Sequence, residues 1–427
     1  MEMKRILFFI KAYNDLDNIT PLIWRAVKDG SNPIVVFINK YPFDSDYRVK
    51  FLKNEGKLEI LCMTDDRHIR YTSGSGGIIF KIFRRIYFAK KSILEKIHDS
   101  YAERYYRKLF FDCSKEIKFL KDNNITSCVF EHSRPSSNGM VVEKFFRASK
   151  AIGITTFSIP HGGNVYTSLD VNKGYVILGK KGMLPIVTAR NEFDYYIHQD
   201  KIRRDSAVKW GYDHFKNQVW GSLRYFPEWQ KINLKICPPV IIKKDPKTRK
   251  RIVFMDHQKD YLVFIDKIWK LLDRIASDDR VFLVIKQSTR SGKNYYTENF
   301  KNKYINSSNV EFVGIENHSP SLIQWSDCVI NFGSSIGIEV LLQNKPLINP
   351  YYLHSNTTIF EKFNAALNAS DEDEVIMYID RIIDGETTDI DNSNKERLLS
   401  EVVSAGKSDR NNLDFYYNQI TSEYLNY

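Results

Sequence analysis

What the chain lacks narrows its class. Its 427 residues include only five cysteines, Cys62, Cys113, Cys128, Cys237 and Cys328, and no two of them form a CxxC pair. An odd number at wide spacing argues against a disulfide framework and structural zinc, and fits a reducing compartment. No apolar run approaches the roughly 18 residues that a membrane-spanning helix needs. The apolar stretch Ile6–Ile10 ends at Lys11, too short for a signal-peptide core, so a cytoplasmic location is expected. Glycine (20) and proline (13) are too few for a collagenous or low-complexity chain. No Gly-x-Ser-x-Gly, HExxH or protein-kinase motif set occurs.

Acidic residues are also in deficit: 52 Asp and Glu face 63 Lys and Arg, a net charge of +11 that suits an anionic partner. The surplus is concentrated. Lys81–Lys121 holds 12 basic and 5 acidic side chains, with Ile82, Phe83, Ile86, Tyr87, Ile93, Leu94 and Ile97 recurring at helical spacing. Two readings fit this stretch: a basic amphipathic segment on an anionic membrane surface, or a helical pair with its apolar stripe in the core. Peripheral association with the inner membrane face follows from the first. No nucleic-acid-binding module accompanies the charge, so nucleic acid is not an expected partner.

What is present is an ordinary globular mixture, 43% hydrophobic and 14% aromatic. The length suggests two domains. Short β-branched runs without alternation, Arg5–Ile10, Pro33–Ile38, Leu58–Met63, Thr126–Phe130 and Thr155–Ile159, alternate with helical segments at Ile19–Lys28 and Met140–Ala151. Asn18 or Thr20 is the expected cap of the first of these helices. Phe193–Ile197 can add a strand. Such an order predicts a parallel sheet covered on both faces. Pro238 and Pro239 open a basic stretch that includes Pro246, and this reads as a linker. The alternation then restarts: strands at Ile252–Met255, Val281–Ile285, Val310–Val313, Cys328–Phe332 and Pro346–Ile348, helices at Tyr261–Ala276, Ser321–Trp325 and Ile336–Gln343. The acidic Asp371–Glu374 suits a helix N-terminus. The expected organisation is a domain over residues 1–237, a linker over 238–251, a second domain over 252–397 and a helical segment over 398–427 that can cross back to the first. Two doubly wound α/β domains would face a central cleft between their strand C-terminal edges.

The most informative segment is Asp327–Pro350. A buried strand enters Gly333-Ser334-Ser335, a helix bearing Glu339 follows, and a second strand comes after Lys345-Pro346. Gly333 permits close backbone approach, the two hydroxyls and free N–H groups suit a phosphate, and Glu339 can reach a ribose or sugar hydroxyl. At strand ends facing the expected cleft stand Glu131-His132 and Asp256-His257. Asp44-Ser-Asp46 and Asp389-Ile-Asp391 imitate a metal-binding DxD but lie in polar loops, and Ser73–Gly77 reads as a flexible loop.

The Asp327–Pro350 run resembles the donor-binding element of GT-B glycosyltransferases of bacterial surface-polysaccharide synthesis, nearest the capsule and O-antigen β-Kdo transferases and, more distantly, the CDP-glycerol glycerophosphotransferases. Ser158–Gly163, with His161 and Gly162, resembles the His-Gly turn of their first domain. Val219–Arg224 resembles their Gly-Ser/Asn-x-Arg end of that domain, which marks Ser222 and Arg224 as donor-side residues. The sequence departs from those families after Lys286, where Gln287-Ser288-Thr289-Arg290 replaces their Lys-x-His-Pro, so Lys286, Ser288 and Arg290 would have to offset phosphate charge. The resemblance implies transfer of Kdo or a related ulosonic acid from a CMP-activated donor to a glycan or lipid-linked acceptor. Asp256 is then the candidate nucleophile, Glu131 or His161 the base, and His132 and Arg134 acceptor contacts. No cofactor or metal is expected. A glycerophosphotransferase, a nucleotide-sugar epimerase and a non-catalytic scaffold of a polysaccharide-assembly complex are the alternatives.

Overall fold

The computed structural model describes residues 5–11, 13–38, 43–63, 112–131, 140–160, 165–168, 177, 180, 188–209, 211–257, 261–287, 298–386 and 390–422. Most of the basic stretch at 81–121 and the loop at 73–77 lie outside them.

Two parallel sheets organise the chain into a GT-B architecture of two Rossmann-like domains. The first sheet contains β1 (Arg5–Ile10), β2 (Ile34–Phe37), β3 (Glu59–Cys62), β4 (Ile125–Glu131), β5 (Thr155–Ile159), β6 (Tyr195–His198) and β7 (Asn217–Val219), in the order β3-β2-β1-β4-β5-β6-β7. The second contains β8 (Lys250–Met255), β9 (Val281–Lys286), β10 (Val310–Val313), β11 (Cys328–Asn331), β12 (Leu347–Pro350) and β13 (Leu367–Ala369), in the order β10-β9-β8-β11-β12-β13. Strand order reverses beside β1 in one sheet and beside β8 in the other, and the crevice at such a switch point is where doubly wound folds bind ligands. The apolar runs form strands because both of their faces are covered: β2 and β9 are buried at every position.

The helices are α1 (Tyr13–Lys28), α2 (Tyr47–Glu55), α3 (Ser114–Asp122), α4 (Met140–Ala151), α5 (Lys201–Lys209), α6 (Pro227–Ile236), α7 (Ile265–Ala276), α8 (Glu298–Lys303), α9 (Ser319–Trp325), α10 (Ile336–Leu342), α11 (Ile359–Phe363), α12 (Glu372–Ile383), α13 (Asn392–Ser404) and α14 (Asn412–Thr421). Three elements differ from the sequence expectation. Helix α1 begins six residues before Ile19, so Asn18 and Thr20 are buried inside it rather than capping it. The carboxylate of Asp15 accepts from Lys11 N at 2.8 Å at its start. Pro21 is tolerated within the helix. Helix α7 starts at Ile265 instead of Tyr261, because Leu262 has φ +59° and the chain there bonds to the 353–355 segment (Phe264 N to Leu353 O, 2.8 Å; Ser355 N to Leu262 O, 3.1 Å). Strand β7 forms just ahead of the Gly221 motif, pairing with β6.

The linker is pinned to the second domain. Asn317 brackets Ile241 through both its N–H (2.7 Å) and its carbonyl (2.9 Å), and Glu311 accepts from Lys243 N and Lys244 N at 2.9 Å each. Asp371 caps α12 by accepting from Glu374 N at 3.0 Å. Helix α13 packs Leu398, Val402 and Val403 into the second domain's core, whereas α14 packs Leu413, Tyr416 and Ile420 against the first. The crossing is fixed by Tyr416 Oη donating to Gly221 O (2.8 Å) and Ser222 N to Val403 O (2.9 Å). Gly221, at φ +84°, lies against Val403 and Asn412 with no room for a Cβ. No helix among the described residues is long and apolar enough to cross a membrane.

Candidate active site

The segments that follow strand C-terminal ends on each sheet meet one another. Tyr13, after β1, bonds through its hydroxyl to Nδ1 of His318, after β10, at 2.8 Å. Tyr166, beyond β5, hydrogen-bonds Nε2 of His257, just past β8. The 165–168 segment also pairs with the second domain, Ile359 N to Val165 O at 2.8 Å and Thr167 N to Thr357 O at 2.9 Å. The two carboxyl edges therefore face each other across one cleft.

On the second domain's wall, β11 ends in the turn Gly333-Ser334-Ser335. Gly333 has φ +68°, and a Cβ there would come within 3.0 Å of the His257 ring and closer still to Tyr166 Oη, so the turn is pressed against this His–Tyr pair. Asn331 Nδ2 donates to Ser334 O (2.9 Å) and Tyr225 Oη to Ser335 O (3.0 Å), fixing the turn from both domains. Helix α10 is only seven residues long, so its dipole adds little to anion binding. His257 stacks on Tyr261 (centroids 4.9 Å, 25°) and lies parallel to the Tyr166 ring (6.0 Å, 17°).

Behind the turn runs a buried ionic chain that sequence reasoning found only in part. Glu339 Oε1 accepts from Arg224 Nε at 3.0 Å, and Arg224 also approaches Asp17 (3.3 Å). Asp17 pairs with Arg48, which donates to both oxygens of Asp46 (Nε to Oδ1, 3.0 Å; Nη2 to Oδ2, 2.7 Å). The Arg48 guanidinium stands 4.3 Å over the Tyr13 ring. Three carboxylates thus face two guanidiniums in a nearly dry junction, where Arg48 and Glu339 are each 1% exposed. Burial works against the charge on Arg224, but Asp17 and Glu339 outweigh it and hold its pKa well above the ordinary value. Glu339 Oε2 has no hydrogen-bond partner among the described residues. Asp46, half of a DxD imitation, is engaged here and at the α2 N-cap.

Lys286 ends β9 with 6% exposure and donates to Gly314 O. Burial lowers its pKa to about 8, against the attraction of Glu316. His318 is also pushed down by burial and by the positive charge of Arg48.

The sequence-derived residues fall into three groups. Lys286, Gly333, Ser334, Ser335, Glu339, Arg224 and Asp256 are gathered at or behind the second wall of the cleft; Asp256 accepts from His257 N at 2.7 Å. Glu131 ends β4 on the first wall, its carbonyl accepting from Ser158 Oγ at 3.0 Å. Ser222 is spent on the fold, its hydroxyl meeting Tyr225 N (3.3 Å) and Gln199 Nε2 (3.4 Å). His132, Arg134, His161, Gly162, Ser288 and Arg290 lie outside the described residues. The residues missed were Tyr13, Asp17, Arg48, Tyr166 and His318; His257 was placed at the cleft but given no role. The signal for His257 was its place after a buried strand beside Asp256; Tyr166 and Arg48 sit in polar segments with no pattern to distinguish them.

No protein-family model matches the chain, and no curated sequence is significantly similar to it. Solved structures do share its fold. S. aureus MnaA, in a co-structure with UDP, is 13% identical, with a TM-score of 0.55 over 98% of this chain and 96% of its own. The UDP-GlcNAc 2-epimerase of Neisseria meningitidis, bound to UDP-GlcNAc, is 12% identical, with a TM-score of 0.54 over 94% and 95%. Anabaena HepE, in complex with UDP and glucose, is 11% identical, with a TM-score of 0.52 over 98% and 98%.

Proposed function

We propose that the chain is an enzyme acting on a nucleotide-activated sugar in the cleft between its two domains, and that it inverts a sugar carbon while the sugar remains on its nucleotide. The observation that carries this reading is the meeting of the Gly333 turn with His257 and Tyr166 at the strand switch point. The Gly333 turn and an imidazole stand at one mouth, with the buried acid Glu339 behind. Inversion at a ring carbon requires a proton to leave one face and return to the other. The two lobes supply candidate groups from opposite walls, Glu131 on β4 and the Asp256-His257 pair on β8. Lys286, at the end of β9, is the candidate cation for phosphate charge on the second wall. The folds that resemble this one belong to proteins solved with UDP or UDP-sugars, which favours UDP over CMP as the nucleotide. Transfer to an acceptor, with Kdo on CMP as donor and Asp256 as nucleophile, is the second reading; the three polysaccharide-transferase motifs support it.

The test is NMR of the purified chain with UDP-GlcNAc, UDP-glucose and CMP-Kdo in turn, each with and without an oligosaccharide acceptor. Epimerisation yields a second nucleotide-sugar spectrum with no free nucleotide. Nucleotide release that depends on acceptor supports transfer instead. Absence of turnover and of any thermal shift with all three removes the enzymatic reading. Asp256→Asn is expected to keep the thermal midpoint and nucleotide binding and to abolish turnover; full activity would exclude Asp256 from the chemistry.

A further inference from the structure

After β5 the first domain sends a short segment onto the second. Residues 165–168 lie there before the chain rejoins the first sheet at β6. Val165, 2% exposed, belongs to the second domain's apolar core, in one cluster with Ile359 and Phe360. Tyr166 forms an antiparallel bridge to Thr358, flanked by the backbone bonds Ile359 N to Val165 O and Thr167 N to Thr357 O. The side-chain hydroxyls of Thr167 and Thr357 meet at 2.9 Å. This segment is thus strapped to the opposite lobe by an apolar anchor and by strand-like pairing.

The strap places one side chain over the Gly333 turn. Tyr166 is 7% exposed, its ring nearly parallel to those of His257 (6.0 Å, 17°) and Tyr261 (5.7 Å, 18°) and edge-on to His354 (6.3 Å, 74°). Its hydroxyl hydrogen-bonds His257 Nε2. A Cβ on Gly333 would stand 2.5 Å from that hydroxyl and 3.0 Å from the His257 ring. The space between turn, imidazole and phenol therefore does not admit even a methyl group. A phosphate that touched both the turn and the imidazole would need the volume the phenol fills.

We propose that Tyr166 is a plug: the docked strap and a bound nucleotide diphosphate exclude each other at the Gly333 turn, and the nucleotide enters as the strap lifts away. The inference rests on the reading of the cleft as a nucleotide-sugar site. It carries a sign that other roles of Tyr166 do not share. Chains with the strap docked do not bind, so the measured affinity is the intrinsic affinity scaled by the fraction whose strap is free. Loosening the strap therefore tightens binding. Removing a residue that touches the nucleotide, or that merely supports the fold, would weaken it. Holding the strap down would abolish binding.

The experiment is calorimetry with UDP on the full chain, on Tyr166→Ala and on the double variant Thr167→Cys with Thr357→Cys. The two threonine side chains lie close enough for a disulfide between their replacements, which fixes the strap in place once mass spectrometry shows the bridge formed. Tyr166→Ala is expected to bind UDP about fivefold tighter or more. The double variant is expected to bind like the unaltered chain when reduced and about tenfold more weakly or worse when oxidised, with dithiothreitol restoring affinity. The unaltered chain under the same oxidant controls for Cys62, which is exposed. UDP affinity that is unchanged or weaker in Tyr166→Ala, or equal in the oxidised and reduced double variant, would overturn the plug while leaving the cleft reading intact. Were Tyr166→Ala not to fold, the cross-link decides alone. No UDP binding by any of these proteins, reduced or oxidised, would remove the cleft reading and the plug with it.

Discussion

Arg224→Met tests whether the cleft is held by its ionic chain. The methionine keeps much of the side-chain bulk but removes the guanidinium that serves Glu339 and Asp17. Asp17 retains Arg48, whereas Glu339 is left with neither oxygen paired among the described residues, at 1% exposure in the junction between the domains. Breaking a buried pair from one side costs about 3–5 kcal/mol, because the orphaned charge stays desolvated. For domains of this size that corresponds to a fall in thermal midpoint of roughly 6–20 °C. Glu339→Gln should behave differently. It removes the one surplus negative charge of the junction, leaves Arg224 with Asp17, and keeps an amide oxygen able to accept from Arg224. Its cost should be only about 1 kcal/mol. If the two side chains act as one unit, adding Glu339→Gln to Arg224→Met recovers about 2 kcal/mol or more of the single variant's loss. Urea denaturation followed by both fluorescence and circular dichroism measures all four corners of this cycle. A loss below 1 kcal/mol for Arg224→Met, or strictly additive effects, would refute the reasoning and reduce the pair to an incidental contact.

Other consequences follow from buried groups. Lys286 has a folded pKa near 8 against an ordinary 10.5, so the folded chain surrenders that proton first and stability should rise with pH between 8 and 10.5. The gain has an upper bound of about 3 kcal/mol, and it should vanish in Lys286→Met when denaturation is compared at pH 7.5 and 10. His198 and His354 are both held near pKa 4 by burial, so the folded state resists their protonation. Stability should therefore fall as pH drops from 6.5 toward 4, by up to about 3 kcal/mol for each ring, and a His198→Asn variant should show a shallower slope over that window. Gly333→Ala places a methyl where φ is +68° and where Tyr166 and His257 already press. The expected cost is about 1–2 kcal/mol together with weaker nucleotide binding, read by thermal shift with UDP; unchanged binding would show that the turn does not touch the ligand.

The fold was legible because its strands are apolar on both faces. Runs such as Ile34-Val35-Val36-Phe37 and Val281–Ile285 cannot sit at a solvated sheet surface, and their alternation with helices leaves a parallel doubly wound sheet as the solution. The Gly333 turn was legible for a related reason, since a strand that stops at a glycine before a helix marks a carboxyl edge. Boundaries failed where tertiary contacts outbid local preference: the chain at Leu262 gives its hydrogen bonds to the 353–355 segment rather than to a first helical turn. Only part of the site was legible, and the reason is geometric. Arg224 and Glu339 are 115 residues apart, and each belongs to a motif readable alone; what joins them, and Asp17 and Arg48 beyond, is the meeting of two domains. A pattern of period two or 3.6 records which face of an element is covered, but not which element covers it. The second wall of the cleft could therefore be inferred from one segment. The residues that cross the cleft, Tyr13 to His318 and Tyr166 to His257, required both lobes in place. The same logic gives the cleft its dependence on closure: its imidazole, its turn and its buried acid each take a partner from the opposite domain, so separating the lobes would dismantle the site along with the interface.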